Sequence, residues 1–150
     1  MGEVPSAAPP WVLSRSGTTG WPKAIVQGHG GILIEELKHL RLNVDLQPGD
    51  RLFWFTTTGW MMWNFIVSGL LTPAAIVLYD GNPGYPDMGA LWDLAEQAGG
   101  TMLGTSAAYI SDGMKAAQEP PVGRDISALK SLGPTASPLV REGVCAHQEK

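Results

Sequence analysis

The chain has 150 residues, of which 44% are hydrophobic and 16% are charged, and its formal net charge is −4 at pH 7. This length and composition predict one ordinary domain with a real hydrophobic core. Nucleic acids and anionic membranes need clustered Lys and Arg, and the sequence has no basic cluster, so we expect neither as a main partner. Cys145 is the single cysteine, which excludes a disulfide within the chain.

The amino terminus does not have the pattern of a secretory signal peptide. Glu3 and Pro5 stand where a cationic segment would precede an apolar one. The most apolar segment, residues 65–79, is interrupted by Gly69 and Pro73 and is too short to span a bilayer. We therefore expect a cytoplasmic location.

Short apolar strands alternate with helical patterns after a proline-rich segment at 1–10, which we interpret as a flexible lead-in. The predicted strands lie at 11–13, 24–26, 52–55, 75–79, 101–103 and 129–132. The predicted helices comprise one with the apolar stripe Leu33, Leu37, Leu40 and Val44, then 60–70, 91–98 and 106–115. This alternation predicts an α/β fold with a mostly parallel sheet and flanking helices. We expect a domain at 11–140 and a polar tail at 141–150.

Small polar segments that contain glycine or threonine follow the predicted sheet strands, at residues 56–59, 80–82, 104–106 and 133–137. In open parallel sheets, ligands bind beyond the carboxyl ends of the strands. These segments therefore indicate a ligand site. Every sheet also needs connecting loops, so ordinary loops remain an equal alternative on this pattern alone.

The strongest motif is SGTTGWPK at residues 16–23. Its two glycines permit positive φ, so that consecutive N–H groups can converge on an anion, and three hydroxyls and one ammonium add further donors. The ligand implied is a polyphosphate, although composition alone more often marks a simple turn. The spacing of the glycines and of Lys23 differs from that of a Walker A loop.

Other polar residues give weaker signals. His29 lies between two glycines and could meet a phosphate or a carboxylate, although a lone histidine is more often structural. Met61 and Trp63 are expected in the core. No group of residues has the spacing of metal ligands, and no residue of the chain is assigned a catalytic role.

The ordered string SGTTGxPK resembles the phosphate-loop signature of the acyl-adenylate-forming (AMP-binding) enzymes, which include acyl-CoA synthetases, luciferases and peptide-synthetase adenylation domains. Within that superfamily, TTTGWMMWN at 56–64 and YDGNPGYPD at 79–87 resemble the acetoacetyl-CoA synthetases. The resemblance extends over residues 11–140, a minor part of a full-length family member. It implies part of the large N-terminal domain of such an enzyme.

The resemblance also implies a two-step reaction for the full-length family. Acetoacetate, a short 3-oxo acid, attacks ATP·Mg to give acyl-AMP and pyrophosphate, and the thiol of CoA then displaces AMP. The residues implied to bind the β- and γ-phosphates are Ser16, Gly17, Thr18, Thr19, Gly20 and Lys23. Those implied to lie near the acyl pocket are Gly59, Trp60 and Met62. Those implied to border adenine are Ala136, Ser137 and Pro138.

Several positions depart from the family pattern. Arg15 stands where a small residue is usual, and Pro134 and Ala136 replace Ser and Gly. The family's later adenine and magnesium motif, ribose-binding Asp, hinge and small C-terminal domain do not occur in these 150 residues. We therefore expect the isolated chain to be inactive, with the activity belonging to a longer polypeptide or to one completed by a complementing chain. A non-catalytic nucleotide- or phosphate-binding module and a degenerate remnant remain alternatives.

Overall fold

The computed structural model describes residues 3–15, 20–115 and 123–136. The chain forms two compact units, Met1–Leu46 and Gln47–Lys150, which are described separately below. The predicted polar tail at 141–150 lies outside the described residues. Within the described ranges, no helix has the length and apolar character needed to cross a membrane.

The first unit begins with a hairpin. Strands β1 (Trp11–Arg15) and β2 (Lys23–Gln27) pair antiparallel, with Trp11 opposite Gln27 at one end and Arg15 opposite Lys23 at the other. The indole N–H of Trp11 donates to Oε1 of Gln27 at 2.5 Å, which closes the end of the hairpin farthest from the loop. The two strands predicted from the sequence are therefore confirmed.

Helix α1 (His29–Lys38) continues into one turn of π-helix, His39–Asn43. Its inward side carries Ile32, half-buried Glu36 and fully buried Leu40. The predicted stripe was wrong at Leu33 and Leu37, whose exposed fractions are 40% and 39%. Apolar residues occur on both sides of this helix, so spacing alone does not select the face that packs.

The start of α1 is bonded to the segment before β1. The backbone N–H groups of His29 and Gly30 donate to the carbonyls of Ala8 and Ser6, each at 3.0 Å. Nδ1 of His29 also lies 2.7 Å from the Ala8 carbonyl, which it meets as a donor. Two residues of the predicted lead-in are thus hydrogen-bonded to the start of α1. These bonds favour a structural role for His29 over a role in binding a phosphate or a carboxylate.

The second unit contains a four-stranded parallel sheet in the order β4-β3-β5-β6. Its strands are β3 (Arg51–Trp54), β4 (Ala75–Val77), β5 (Met102–Ser106) and β6 (Ser131–Thr135). Its helices are α2 (Met61–Ser68), a 3-10 turn at Gly69–Leu71, α3 (Ala90–Ala98) and α4 (Ala107–Lys115). The predicted fold class, α/β with a parallel sheet and flanking helices, is confirmed.

The two faces of this sheet have separate cores. On one face Phe53 and Leu103 join a buried cluster completed by Leu91, Trp92, Ala95 and Tyr109. Because side chains alternate along a strand, Trp54 lies on the opposite face from Phe53. There its indole meets the ring of Phe65 from α2 edge-on, with centroids 5.3 Å apart and an interplanar angle of 85°.

Trp54 also covers two glycines, one on the adjacent strand β5 and one on the strand beyond it, β6. The strand register places Trp54 beside Gly104 and Gly104 beside Gly133. A Cβ at Gly104 would overlap the indole, and one at Gly133 would lie 2.5 Å from Cη2 of Trp54. The sheet therefore needs residues without a side chain at both positions, so that a large aromatic ring can lie against the backbone.

The amino-terminal edge of the sheet is organised by Asp50, which is only 5% exposed. Its Oδ1 lies 2.6 Å from Nζ of Lys130, and its Oδ2 accepts the backbone N–H of Gln47 at 2.8 Å. The backbone carbonyl of Asp50 accepts the N–H of Ala75 at 2.8 Å. Burial alone would raise the pKa of Asp50, but the bonds from Lys130 and Gln47 outweigh it, and the pKa is lowered.

Replacing Gly104 by alanine is expected to lower the free energy of unfolding by roughly 2–3 kcal/mol, because the added methyl overlaps a packed indole. Urea unfolding followed by tryptophan fluorescence measures the change. Gly59→Ala is the control, since among the described residues nothing lies within 4 Å of a Cβ at Gly59, and it should change stability by less than about 0.5 kcal/mol. Equal losses in the two variants would contradict this packing.

Replacing Lys130 by methionine should lower the free energy of unfolding at pH 7 by roughly 1–2 kcal/mol, because a buried carboxylate loses its cation. The pKa of Asp50 is lower in the folded state, so its stabilising contribution exists above the unfolded value of about 4 and is lost as pH falls through the folded value. The difference between wild type and Lys130→Met should therefore shrink in urea melts below about pH 4.

The control for this pair is Lys115→Met. Lys115 pairs with Asp112 at 3.1 Å, but both side chains are well exposed. An exposed pair contributes little, so this variant should match the wild type within about 0.5 kcal/mol at every pH. A difference between wild type and Lys130→Met that stays constant down to pH 2 would show that the Asp50 charge is not responsible.

Candidate functional site

The loop end of the hairpin holds the described part of the SGTTGWPK motif. Gly20 has a φ of +95°, the backbone conformation for which the motif's glycines were singled out. Lys23 is the first residue of β2 and is exposed, and the register places Arg15 directly opposite it. Ser16, Gly17, Thr18 and Thr19 lie outside the described residues.

This end of the hairpin is electropositive. The side chains of Arg15 and Lys23 are both exposed, and neither side chain has an ion-pair or hydrogen-bond partner among residues 3–15, 20–115 and 123–136. Like charges that face each other across two strands repel. The arrangement suits an anion with several charges, which would relieve that repulsion.

The carboxyl ends of the parallel strands lie along one edge of the sheet in the second unit. Segments 104–106 and 133–135, predicted as loops, are instead the last residues of β5 and β6, paired with Thr105 beside Pro134. The hydroxyl of Thr135 donates to the Thr105 carbonyl at 3.3 Å. Strand pairing continues further than the sequence indicated because the backbone groups of these small polar residues still find partners in the ladder.

The segment after β4 forms a turn of its own. β4 ends at Val77, two residues before the predicted end. The hydroxyl of Tyr79 donates to the Asn82 carbonyl at 3.1 Å, and Oδ1 of Asn82 accepts the N–H of Gly84 at 2.9 Å. Segment 80–82 is thus bonded within its own loop, an arrangement typical of a connecting turn.

The three residues predicted near an acyl pocket lie where β3 leads into α2. Gly59 is exposed, Trp60 is half-buried and immediately precedes the helix, and Met62 is only 8% exposed. The expectation that Met61 lies in the core was wrong, because its exposed fraction is 49%. Met62 therefore lies on the side of α2 that packs, and Met61 lies on the exposed side.

Two buried polar groups at this edge were missed by the sequence analysis. Nε1 of Trp54 and Oγ1 of Thr105 are buried and have no hydrogen-bond partner within the described part of the chain. Trp54 and Leu103 are on opposite faces, and Thr105 shares the face of Leu103, so the two groups do not form one site. A threonine within the apolar strand MLGTS was the available signal for one of them.

Ala136, predicted to border adenine, follows the last residue of β6 and has a φ of +75°. This is the left-handed region, which costs a residue with a side chain about 1–2 kcal/mol. The resemblance to the family marked this position as one where alanine replaces glycine. The positive φ explains why glycine would suit the position. Ser137 and Pro138 lie outside the described residues.

Replacing Ala136 by glycine should raise the free energy of unfolding by roughly 0.5–1 kcal/mol. The relief of about 1–2 kcal/mol in the left-handed region exceeds the 0.4–1 kcal/mol that glycine's freedom costs in the unfolded chain. Urea unfolding measures the change. The control Ala108→Gly, at an exposed position of α4, should lower stability by up to about 1 kcal/mol. Destabilisation by both glycines would mean that Ala136 is unstrained.

Comparison with known proteins gives related enzymes over nearly the whole chain. Acetoacetyl-coenzyme A synthetase of Rhizobium meliloti (strain 1021) is 45% identical over 93% of this chain, which corresponds to 22% of that protein. Malonamoyl-CoA synthetase vrtB of Penicillium aethiopicum is 40% identical over 91% of this chain and 21% of that protein. The chain therefore spans about a fifth of the length of these relatives.

Solved structures agree with this relationship. The acetoacetyl-CoA synthetase from Streptomyces lividans matches 95% of this chain and 22% of that chain, with a TM-score of 0.89 and 57% sequence identity. The sequence profile of the family described as "AMP-binding enzyme" matches residues 15–146, which include the motif at 16–23. The chain belongs to the AMP-binding enzyme family.

Proposed function

We propose that this chain is the phosphate-binding part of an ATP-dependent acid–CoA ligase that acts on acetoacetate or a closely related acid. The observation that carries the proposal is the SGTTGWPK motif on a hairpin whose loop end holds Gly20 at positive φ and two exposed cations. Relatives named acetoacetyl-CoA synthetase support the choice of acid.

In this proposal, Ser16, Gly17, Thr18, Thr19, Gly20 and Lys23 bind the β- and γ-phosphates of ATP. The acid attacks the α-phosphorus, which gives acyl-AMP and pyrophosphate, and CoA then displaces AMP. Such a reaction accumulates negative charge on phosphate oxygens, so cations and N–H donors stabilise it most directly. Arg15 and Lys23 suit the phosphates rather than magnesium, and Mg²⁺ accompanies ATP as the counter-ion of those phosphates.

The acid is proposed to lie near Gly59, Trp60 and Met62, and adenine near Ala136, Ser137 and Pro138. Acetoacetate and the malonamate implied by one relative's name both carry a carbonyl at C3. They differ only in a terminal methyl or amino group, a change that a pocket typically discriminates by about 1–3 kcal/mol. The proposed substrate class is therefore short acids with a carbonyl at C3.

The complete reaction is assigned to a longer or complemented protein rather than to these 150 residues, with residues 11–140 as its partial AMP-binding domain. CoA enters as the co-substrate of that protein. A complementing chain that carries the rest of the enzyme is the proposed macromolecular partner, and a cytoplasmic location fits the small-molecule substrates. The chain spans 22% of its Rhizobium relative, which supports this division of labour.

The proposal predicts that ATP·Mg stabilises the 150-residue chain. At about 100 times its dissociation constant, a bound ligand adds about 2.7 kcal/mol to the free energy of unfolding, which raises the melting temperature by several degrees. Thermal melts with and without ATP·Mg measure the shift. The shift should fall to about half in Lys23→Ala, because removing one of the two cations weakens binding by roughly tenfold.

The matched control is Lys38→Ala. Lys38 is an exposed lysine of α1 that pairs with Glu35 at 2.7 Å, and its loss should leave the ATP-dependent shift intact. No shift in the wild-type chain, or an equal shift in wild type and Lys23→Ala, would contradict the proposed phosphate site.

A further inference from the structure

We propose that Arg15 is a second phosphate-binding cation, acting together with Lys23 on the β- and γ-phosphates, and this rests on the proposed function above. Arg15 is the last residue of β1, and Lys23 is the first residue of β2. The two are the final pair of the hairpin before the loop that carries the motif. An arginine at this place adds a charge to a site that otherwise has one cation.

The register fixes the geometry of this pair. Residues directly opposite in an antiparallel ladder lie on the same face, with Cβ atoms typically about 4.5–5.5 Å apart. Both side chains are exposed. A guanidinium and an ammonium at this spacing can therefore contact neighbouring oxygens of one polyphosphate.

The charges of the pair are not neutralised within the described residues. The ion pairs found there join Lys38 to Glu35, Lys115 to Asp112, Arg124 to Asp93 and Lys130 to Asp50, and none involves the hairpin. Two like charges held face to face destabilise a hairpin slightly. A bound anion with several charges converts that repulsion into attraction, so binding gains from both cations at once.

The chemistry of arginine favours phosphate binding by Arg15 over obstruction of the phosphate site by its long side chain. Its planar fork of N–H donors matches two phosphate oxygens. No hydrogen bond within the described part of the chain holds the Arg15 side chain across the loop end. As far as residues 3–15, 20–115 and 123–136 are concerned, the guanidinium can turn toward a ligand. Its contribution should be sensitive to the salt concentration because Arg15 is exposed.

The test is calorimetric titration of the 150-residue chain with ATP·Mg and, separately, with AMP. Arg15→Gln should weaken ATP·Mg binding about 5- to 10-fold, the effect of one charge-assisted hydrogen bond at an exposed site. Arg15→Lys, which keeps the charge but loses the planar fork, should recover only part of the loss. AMP has no β- or γ-phosphate, so its affinity should be the same in wild type and in both variants.

The control is Lys38→Gln, which removes one exposed positive charge from the same unit away from the hairpin and should leave ATP·Mg affinity unchanged. The loss caused by Arg15→Gln should also shrink as NaCl is raised toward 1 M. If the wild-type chain binds ATP·Mg and Arg15→Gln binds it equally or more tightly, the proposed role of Arg15 is wrong. The proposed function is not affected by that result. If the wild-type chain does not bind ATP·Mg at all, both the proposed function and the proposed role of Arg15 are wrong.

Discussion

The close packing of one indole against backbone holds the second unit together. Trp54 is the last residue of the buried strand β3, and its ring lies across Gly104 of the adjacent strand β5 and Gly133 of the strand beyond it, β6, with Phe65 edge-on against it. A ring this large stays in contact on both sides only if the strands keep their register. The carboxyl ends of β3, β5 and β6 are therefore held together at one edge of the sheet.

The two edges of the sheet differ in how their polar groups are satisfied. At the amino-terminal edge, Asp50 binds Lys130, Gln47 and Ala75 through its side chain and carbonyl, which fixes where neighbouring strands begin. Toward the carboxyl-terminal edge, Oγ1 of Thr105 and Nε1 of Trp54 are buried without partners in the described residues, and Ala136 has a strained backbone. Within the described part of the second unit, the unsatisfied side chains and the strained residue Ala136 thus lie toward the edge where a ligand is proposed to bind.

The sequence predicted the α/β class, the hairpin and the parallel sheet because runs of apolar residues and helical spacing are local signals. It placed the inward face of α1 wrongly, since Ile32 and Leu33 are equally apolar and only packing distinguishes them. It also predicted that Met61 is buried, whereas its side chain is exposed. The burial of this residue depends on where α2 begins. The role of Asp50 could not be predicted, because its partner Lys130 is 80 residues away in the chain and no local pattern joins them.

We propose that the hairpin of the first unit binds the phosphates of ATP. The most direct measurement is a ¹H–¹⁵N NMR titration of the labelled 150-residue chain with ATP·Mg. With ATP·Mg, the largest changes in amide chemical shift should fall within residues 15–23, including Gly20 and Lys23. AMP should change the chemical shifts of these amides much less. Shifts absent from residues 15–23, or equal shifts with ATP and AMP, would contradict it.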